Sequence, residues 1–180
     1  MLAIAVVLGA AVALVCGGSL KNLAQWNIKS IMAPMIALFL KAASMSICSG
    51  MLPRVPYFPI ALSISYLLNL FFLIANGRNR LFLLFGGSGT LLNYAVIAVN
   101  GFRMPISQTV LGAAGFQGVP ESQRVLYAVA DGNTKLSLLG DQIYLPGPVE
   151  GFASIGDVLL AIGVAALVFN LLKPSAKASN

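Results

Sequence analysis

Two aspartates set the chemical question. Asp141 follows a glycine in a stretch with the character of a turn, and Asp157 opens the last apolar segment in Ser154-Ile155-Gly156-Asp157. Two carboxylates sharing a low-dielectric site can hold one proton between them and activate water. Each also has a structural explanation. Ser154 and Asp157 have the spacing of a capping box, with the acid near the positive end of a helix dipole. Gly140-Asp141 is an ordinary turn dipeptide. Lys41, Asn93 and Ser154 are the groups that would support the pair. Lys41 is an ionisable group inside an apolar run, where it either snorkels to a headgroup layer or lies beneath the acids. Asn69 and Asn93 are amides suited to hydrogen bonds between packed helices.

Other chemistries are excluded by what is missing. The chain has no histidine and only two cysteines, Cys16 and Cys48, without metal-ligand spacing. Neither a metal site nor a cofactor is expected. The net charge is +6, but the basic residues stand singly or in twos with no basic stripe, so no nucleic-acid partner is expected. Gly86-Gly87-Ser88-Gly89 lacks the lysine of a phosphate loop and instead allows a neighbouring helix to approach closely.

The elements that must position these residues are apolar. The chain is 58% hydrophobic and 9% charged, with a mean hydropathy of +0.90. A soluble domain carries about 25% charged residues, which a water-facing surface requires. Five segments, 2–18, 31–49, 59–76, 81–99 and 155–172, reach the roughly 17–25 residues needed to cross a hydrocarbon core. Helix is the form lipid imposes, since no barrel-like alternation is present. The expected fold is an all-α integral membrane protein of five transmembrane helices with a small extracytoplasmic cap. Residues 1–100 form a four-span bundle, 101–154 the cap, and 155–180 the fifth helix and tail, all one domain. Punctuation supports the segments: Gly17-Gly18, Gly50 with Pro53, Asn76-Gly77, and Lys173-Pro174 follow their ends. The first segment lacks the basic start of a signal peptide and reads as a retained span.

Lys21, Lys29, Arg78, Arg80, Lys173 and Lys177 fall on one side of such a bundle. The positive-inside rule makes that side cytoplasmic and places the N-terminus outside. Arg54, Arg103, Arg124 and Lys135 fall on the other side, with all five acids, Glu121, Asp131, Asp141, Glu150 and Asp157. Cys16 and Cys48 then lie at opposite ends and cannot pair. In the cap, Pro120-Glu121 predicts a short helix to Ala130. Leu136-Ser137-Leu138 and Ile143-Tyr144-Leu145 predict a hairpin around Gly140-Asp141, before Pro146, Gly147 and Pro148 break the chain.

The order and spacing of Gly17-Gly18-Ser19-Leu20-Lys21-Asn22-Leu23, Asn93 with Asn100-Gly101 and Met104-Pro105, Leu139-Gly140-Asp141, and Ser154 to Leu160 is distinctive. It resembles a family of small bacterial multi-pass membrane proteins, domain of unknown function 5317. That resemblance covers nearly the whole chain and implies a bacterial cytoplasmic membrane, without an activity. The last third also resembles type II (lipoprotein) signal peptidases, membrane-embedded aspartyl proteases. It implies that Asp141 and Asp157 are the catalytic pair, although Ser154 stands where that family has asparagine.

Two functions follow as expectations. One is a helix-packing or accessory component of a membrane assembly, in contact with the bilayer and other membrane subunits, through small-residue faces at Gly9, Ala10, Ala13, Ala161, Ala165 and Ala166. The other is an aspartyl peptidase-like hydrolase at the outer membrane face using Asp141 and Asp157. A transporter is least supported, because no inverted repeat or charged midplane path is present.

Overall fold

The computed structural model describes residues 1–25, 28–49, 57–147 and 151–173, without the side chains of residues 25, 45–49 and 122. Gly50, Pro53, Arg54, Pro148, Glu150, Pro174 and Lys177, and the side chain of Cys48, lie outside the described residues. The apolar segments are helical: α1 (Leu2–Val15), α2 (Met32–Ser49), α3 (Tyr57–Ala75), α4 (Gly87–Val99, preceded by a π-helical turn, Phe82–Gly86) and α6 (Ile155–Leu172). Among the described residues, Tyr57–Ala75, Phe82–Val99 and Ile155–Leu172 are long and apolar enough to cross a membrane. Leu2–Val15 and Met32–Ser44 are shorter apolar stretches.

Small residues decide how the helices pack. A Cβ on Gly9 of α1 would sit 2.6 Å from the Ala165 carbonyl of α6, and one on Gly163 would sit 2.6 Å from the Gly86 amide. Gly89 of α4 faces the Gly156 carbonyl and the Leu160 amide in the same way. Helix α6 therefore lies between α1 and α4 at backbone contact, where van der Waals packing is densest. The small-residue faces expected to meet other subunits are used inside the chain at Gly9, Ala13 and Ala165. Helices α2 and α3 pair with each other, and Ser65 Oγ donates to the Ala37 carbonyl at 3.1 Å.

One end of the bundle is basic. Asn22 Nδ2 donates to the Leu172 and Lys173 carbonyls at 2.8 and 3.2 Å. The Lys29 amide donates to Asn76 Oδ1, and Asn76 Nδ2 donates to the Lys29 carbonyl. Asn79 Nδ2 donates to the Ala166 carbonyl. These bonds bring the connections carrying Lys21, Lys29, Arg78 and Arg80 together beside Lys173.

The opposite end carries a four-stranded sheet, a correction to the all-α expectation. Its order is β2 (Tyr127–Val129), β1 (Met104–Ile106), β3 (Asp141–Leu145) and β4 (Gly151–Ser154). Strand β1 pairs in parallel with β2 and β3, and β3 pairs antiparallel with β4. A short helix, α5 (Gln108–Ala113), is capped by Ser107 Oγ, which accepts from the Val110 amide. The helix predicted from Pro120 to Ala130 shrinks to one 3-10 turn, Glu121–Gln123, because Tyr127–Val129 joins the edge of the sheet. The predicted hairpin around Gly140-Asp141 is likewise absent. Ser137–Leu139 is a 3-10 turn, Gly140 is extended, and Asp141 begins a strand whose antiparallel partner lies ten residues further on. Two cores result. Phe58, Leu62, Val96, Ile97 and Met104 join the helices to the sheet, and Ile106, Val110, Leu111 and Val119 pack beneath α5.

Candidate functional site

The site forms where β4 becomes α6 without a loop. Ser154 is the last residue of β4, opposite Asp141, and the N-cap of α6. Its side chain accepts from the Asp157 amide at 3.0 Å, while its own amide donates to Asp157 Oδ2 at 3.0 Å. This is the reciprocal capping box expected from the sequence.

Asn93 adds a third member. Gly89 and Asn93 are four residues apart and share one face of α4. Gly89 lets the α6 backbone come close, and Gly156 leaves room for the Asn93 carboxamide, which a Cβ there would strike. Asn93 Nδ2 donates to Asp157 Oδ1 at 2.9 Å. Ser154 Oγ lies 2.7 Å from Asn93 Oδ1 and 2.9 Å from Asp157 Oδ2, so its single proton has two acceptors in range. Ser154 is fully buried and Asn93 is 6% exposed. The amide expected at Asn69 to join helices makes no such bond among the described residues, whereas Asn93 does.

Asp141 lies beside this network. Residues directly opposite in a ladder share a face of the sheet, which puts the Asp141 carboxyl on the same side as the Ser154 hydroxyl. Gly140 precedes it because the Pro105 carbonyl of β1 occupies the space of a Cβ. Asp141 is 2% exposed, and its Oδ1 is buried with no hydrogen-bond partner among the described residues. Burial, and secondarily the charge of Asp157, push its carboxyl up to about 7, while Lys41 acts in the opposite direction. A carboxyl held half-protonated near neutrality can either give or take a proton.

Both aspartates line one cavity of about 410 Å³ between the helices and the sheet. Asn93 and Lys41 also line it, so four of the five residues singled out in the sequence meet there; Ser154 stands directly behind, bonded to two of them. Lys41 is exposed, which suits a position at the rim. The remaining walls are largely apolar, with Leu62, Ile97, Met104 and Phe152 prominent. An apolar recess with a few convergent polar groups is the usual form of a ligand site.

Tyr66 of α3 and Tyr127 of β2 were not legible as site residues. Both line the cavity, and the hydroxyls of both lie in the electrostatic field of Asp141 and Asp157. Burial first, then Asp141 and Asp157, push the Tyr127 hydroxyl up to about 12. No short motif links these tyrosines to the acids; only the register of β2 on β1 and the packing of α3 on α4 do so. Among the described residues, no cluster of three or more metal-ligating side chains occurs.

No curated protein and no solved structure matches the chain, so the likeness to type II signal peptidases is not supported. Residues 5–169, most of the sequence, match the family of unknown function DUF5317, and the protein belongs to that family.

Proposed function

We propose that the chain is a multi-pass protein of a bacterial cytoplasmic membrane, with the sheet on the outer side, and that its cavity is a hydrolytic site of the aspartic type. The apolar helices and the acid-free basic end support the placement. One observation carries the activity: Asp141, whose Oδ1 is buried without a partner among the described residues, lines the same cavity as Asp157. In this reading the Asp157 carboxylate takes a proton from water, and the water oxygen bonds to an acyl carbon. Protonated Asp141 gives its proton to the departing nitrogen or oxygen as the acyl bond breaks, leaving an acid and an amine or alcohol. The two carboxyls suit different roles because one is held by Ser154 and Asn93 while the other is not.

The test is isotopic. Purified protein in detergent is incubated in ¹⁸O-water with a mixture of membrane peptides and lipids, and new carboxyl groups are read by mass spectrometry. Label enters products with the parent protein and falls to background in Asp141→Asn and Asp157→Asn. Absence of label with the parent defeats the hydrolytic reading. Recovery of a stable complex with another membrane protein under those conditions would favour an accessory role.

A further inference from the structure

The polar groups facing the cavity are unequal in kind. Asp157 is already engaged as an acceptor by Asn93 and by Ser154. Of the roughly four lone-pair sites on a carboxylate, few remain open. The Tyr66 and Tyr127 hydroxyls, by contrast, have no hydrogen-bond partner among the described residues, and neither does Asp141 Oδ1. The two tyrosine hydroxyls are therefore donors with no acceptor of their own at the cavity wall among the described residues. Lys41 adds a cation at the rim, the one lysine or arginine lining the cavity among the described residues. Leu62, Ile97, Met104 and Phe152 supply an apolar wall. Beside its two aspartates, the recess thus offers two unengaged hydroxyl donors and a cation at the rim.

We propose that the cavity binds an anionic acyl amphiphile. Its carbonyl oxygen accepts from the Tyr66 and Tyr127 hydroxyls, its chain lies against Leu62, Ile97 and Met104, and its anionic group pairs with Lys41. This names the substrate class of the hydrolytic site and rests on that reading for the bond that breaks, but not for binding. Tyr66 and Tyr127 are then substrate-binding residues that polarise the carbonyl under attack. The same chemistry is offered by an ester lipid from the bilayer and by an acylated amino acid arriving from the outer side.

The probe is N-hexanoylglycine, short enough to stay out of micelles, with hexylammonium as its cationic counterpart and saturation-transfer NMR as readout. N-hexanoylglycine binds the parent protein, and Tyr66→Phe, Tyr127→Phe and Lys41→Gln each weaken it about five- to tenfold, the usual effect of one hydrogen bond or ion pair in a partly dry site. Asp157→Asn keeps binding, so occupancy is separable from hydrolysis. Binding without release of glycine defeats the hydrolytic reading alone. Tighter binding of hexylammonium than of N-hexanoylglycine, or unchanged binding in both tyrosine variants, overturns the acyl proposal even if ¹⁸O enters other products. Nanodiscs of diester or diether phosphatidylglycerol identify the source. If the ester lipid is the occupant, only the diester discs compete with the probe; equal probe binding in both points to the acylated amino acid.

Discussion

Replacing Asp141 by asparagine should stabilise the protein at neutral and alkaline pH, although it removes a native side chain. The folded protein holds the Asp141 proton up to about 7, whereas the ordinary value is 3.8. Between those values the native state binds a proton that the unfolded chain has released, so stability falls as pH rises from about 4 to about 7 and is level above. Each pH unit is worth about 1.4 kcal/mol, so the full window amounts to about 4 kcal/mol, and the interval from pH 5 to 7 to about 2–3 kcal/mol. Among the described residues, no other shifted group titrates there. Asp131 is held below its ordinary value by Thr134 and the Asn133 amide, and Tyr127 is pushed up to about 12. Asparagine keeps the shape and cannot ionise. Equilibrium unfolding in detergent at pH 5, 6, 7 and 8 should give a declining series for the parent and a flat one for Asp141→Asn, with the variant the more stable at pH 8. Parallel series with equal slopes would refute the reasoning, because the buried carboxyl would then not be the group that titrates.

Three further outcomes are expected. Ser154→Ala removes a helix cap, worth about 1 kcal/mol, and strips the buried Asn93 oxygen of its donor, worth about 1–3 kcal/mol. The same unfolding assay should therefore show a loss of about 2–4 kcal/mol. Gly156→Ala drives a methyl group into the Asn93 carboxamide; it should cost about 1–3 kcal/mol or more, whereas Gly112→Ala, with open space around it, should change little. Cys16 is exposed at the basic end, so in a Cys48→Ser background an impermeant maleimide should label it in inside-out vesicles and not in intact spheroplasts; the reverse pattern would invert the proposed orientation.

The sequence made the helices plain because apolar run length is a local property. The expected 155–172 coincides with Ile155–Leu172, and 59–76 differs by two residues or fewer at either end from Tyr57–Ala75. The capping box was legible for the same reason, being complete within four residues. The sheet was not. Its strands are three to five residues long, and β1 contains Pro105, which lacks a ladder donor and argues against a central strand. Its partners begin 23 and 37 positions away along the chain, at Tyr127 and Asp141, and no local propensity encodes such pairings. Asp141 was recognised as a candidate, but its turn reading failed, because the residue that follows Gly140 is drawn into the ladder with β1 and β4. Tyr66 and Tyr127 reach the cavity through that same tertiary arrangement.

The passage of β4 into α6 has a mechanical consequence. With no loop between them, the sheet and the helix share Ser154 and have no slack with respect to each other. Lifting the sheet would break the capping box and its bonds to Asn93 together, so the roof behaves as a fixed lintel. Helix α6 is in turn clamped by α1 and α4 at glycine contacts. The more loosely joined body is the α2–α3 pair, which carries Lys41, Leu62 and Tyr66. Any widening of the cavity therefore displaces Lys41, Leu62 and Tyr66 and leaves Asp141, Asp157 and Asn93 in place, so the two halves of the lining differ in how far they can give.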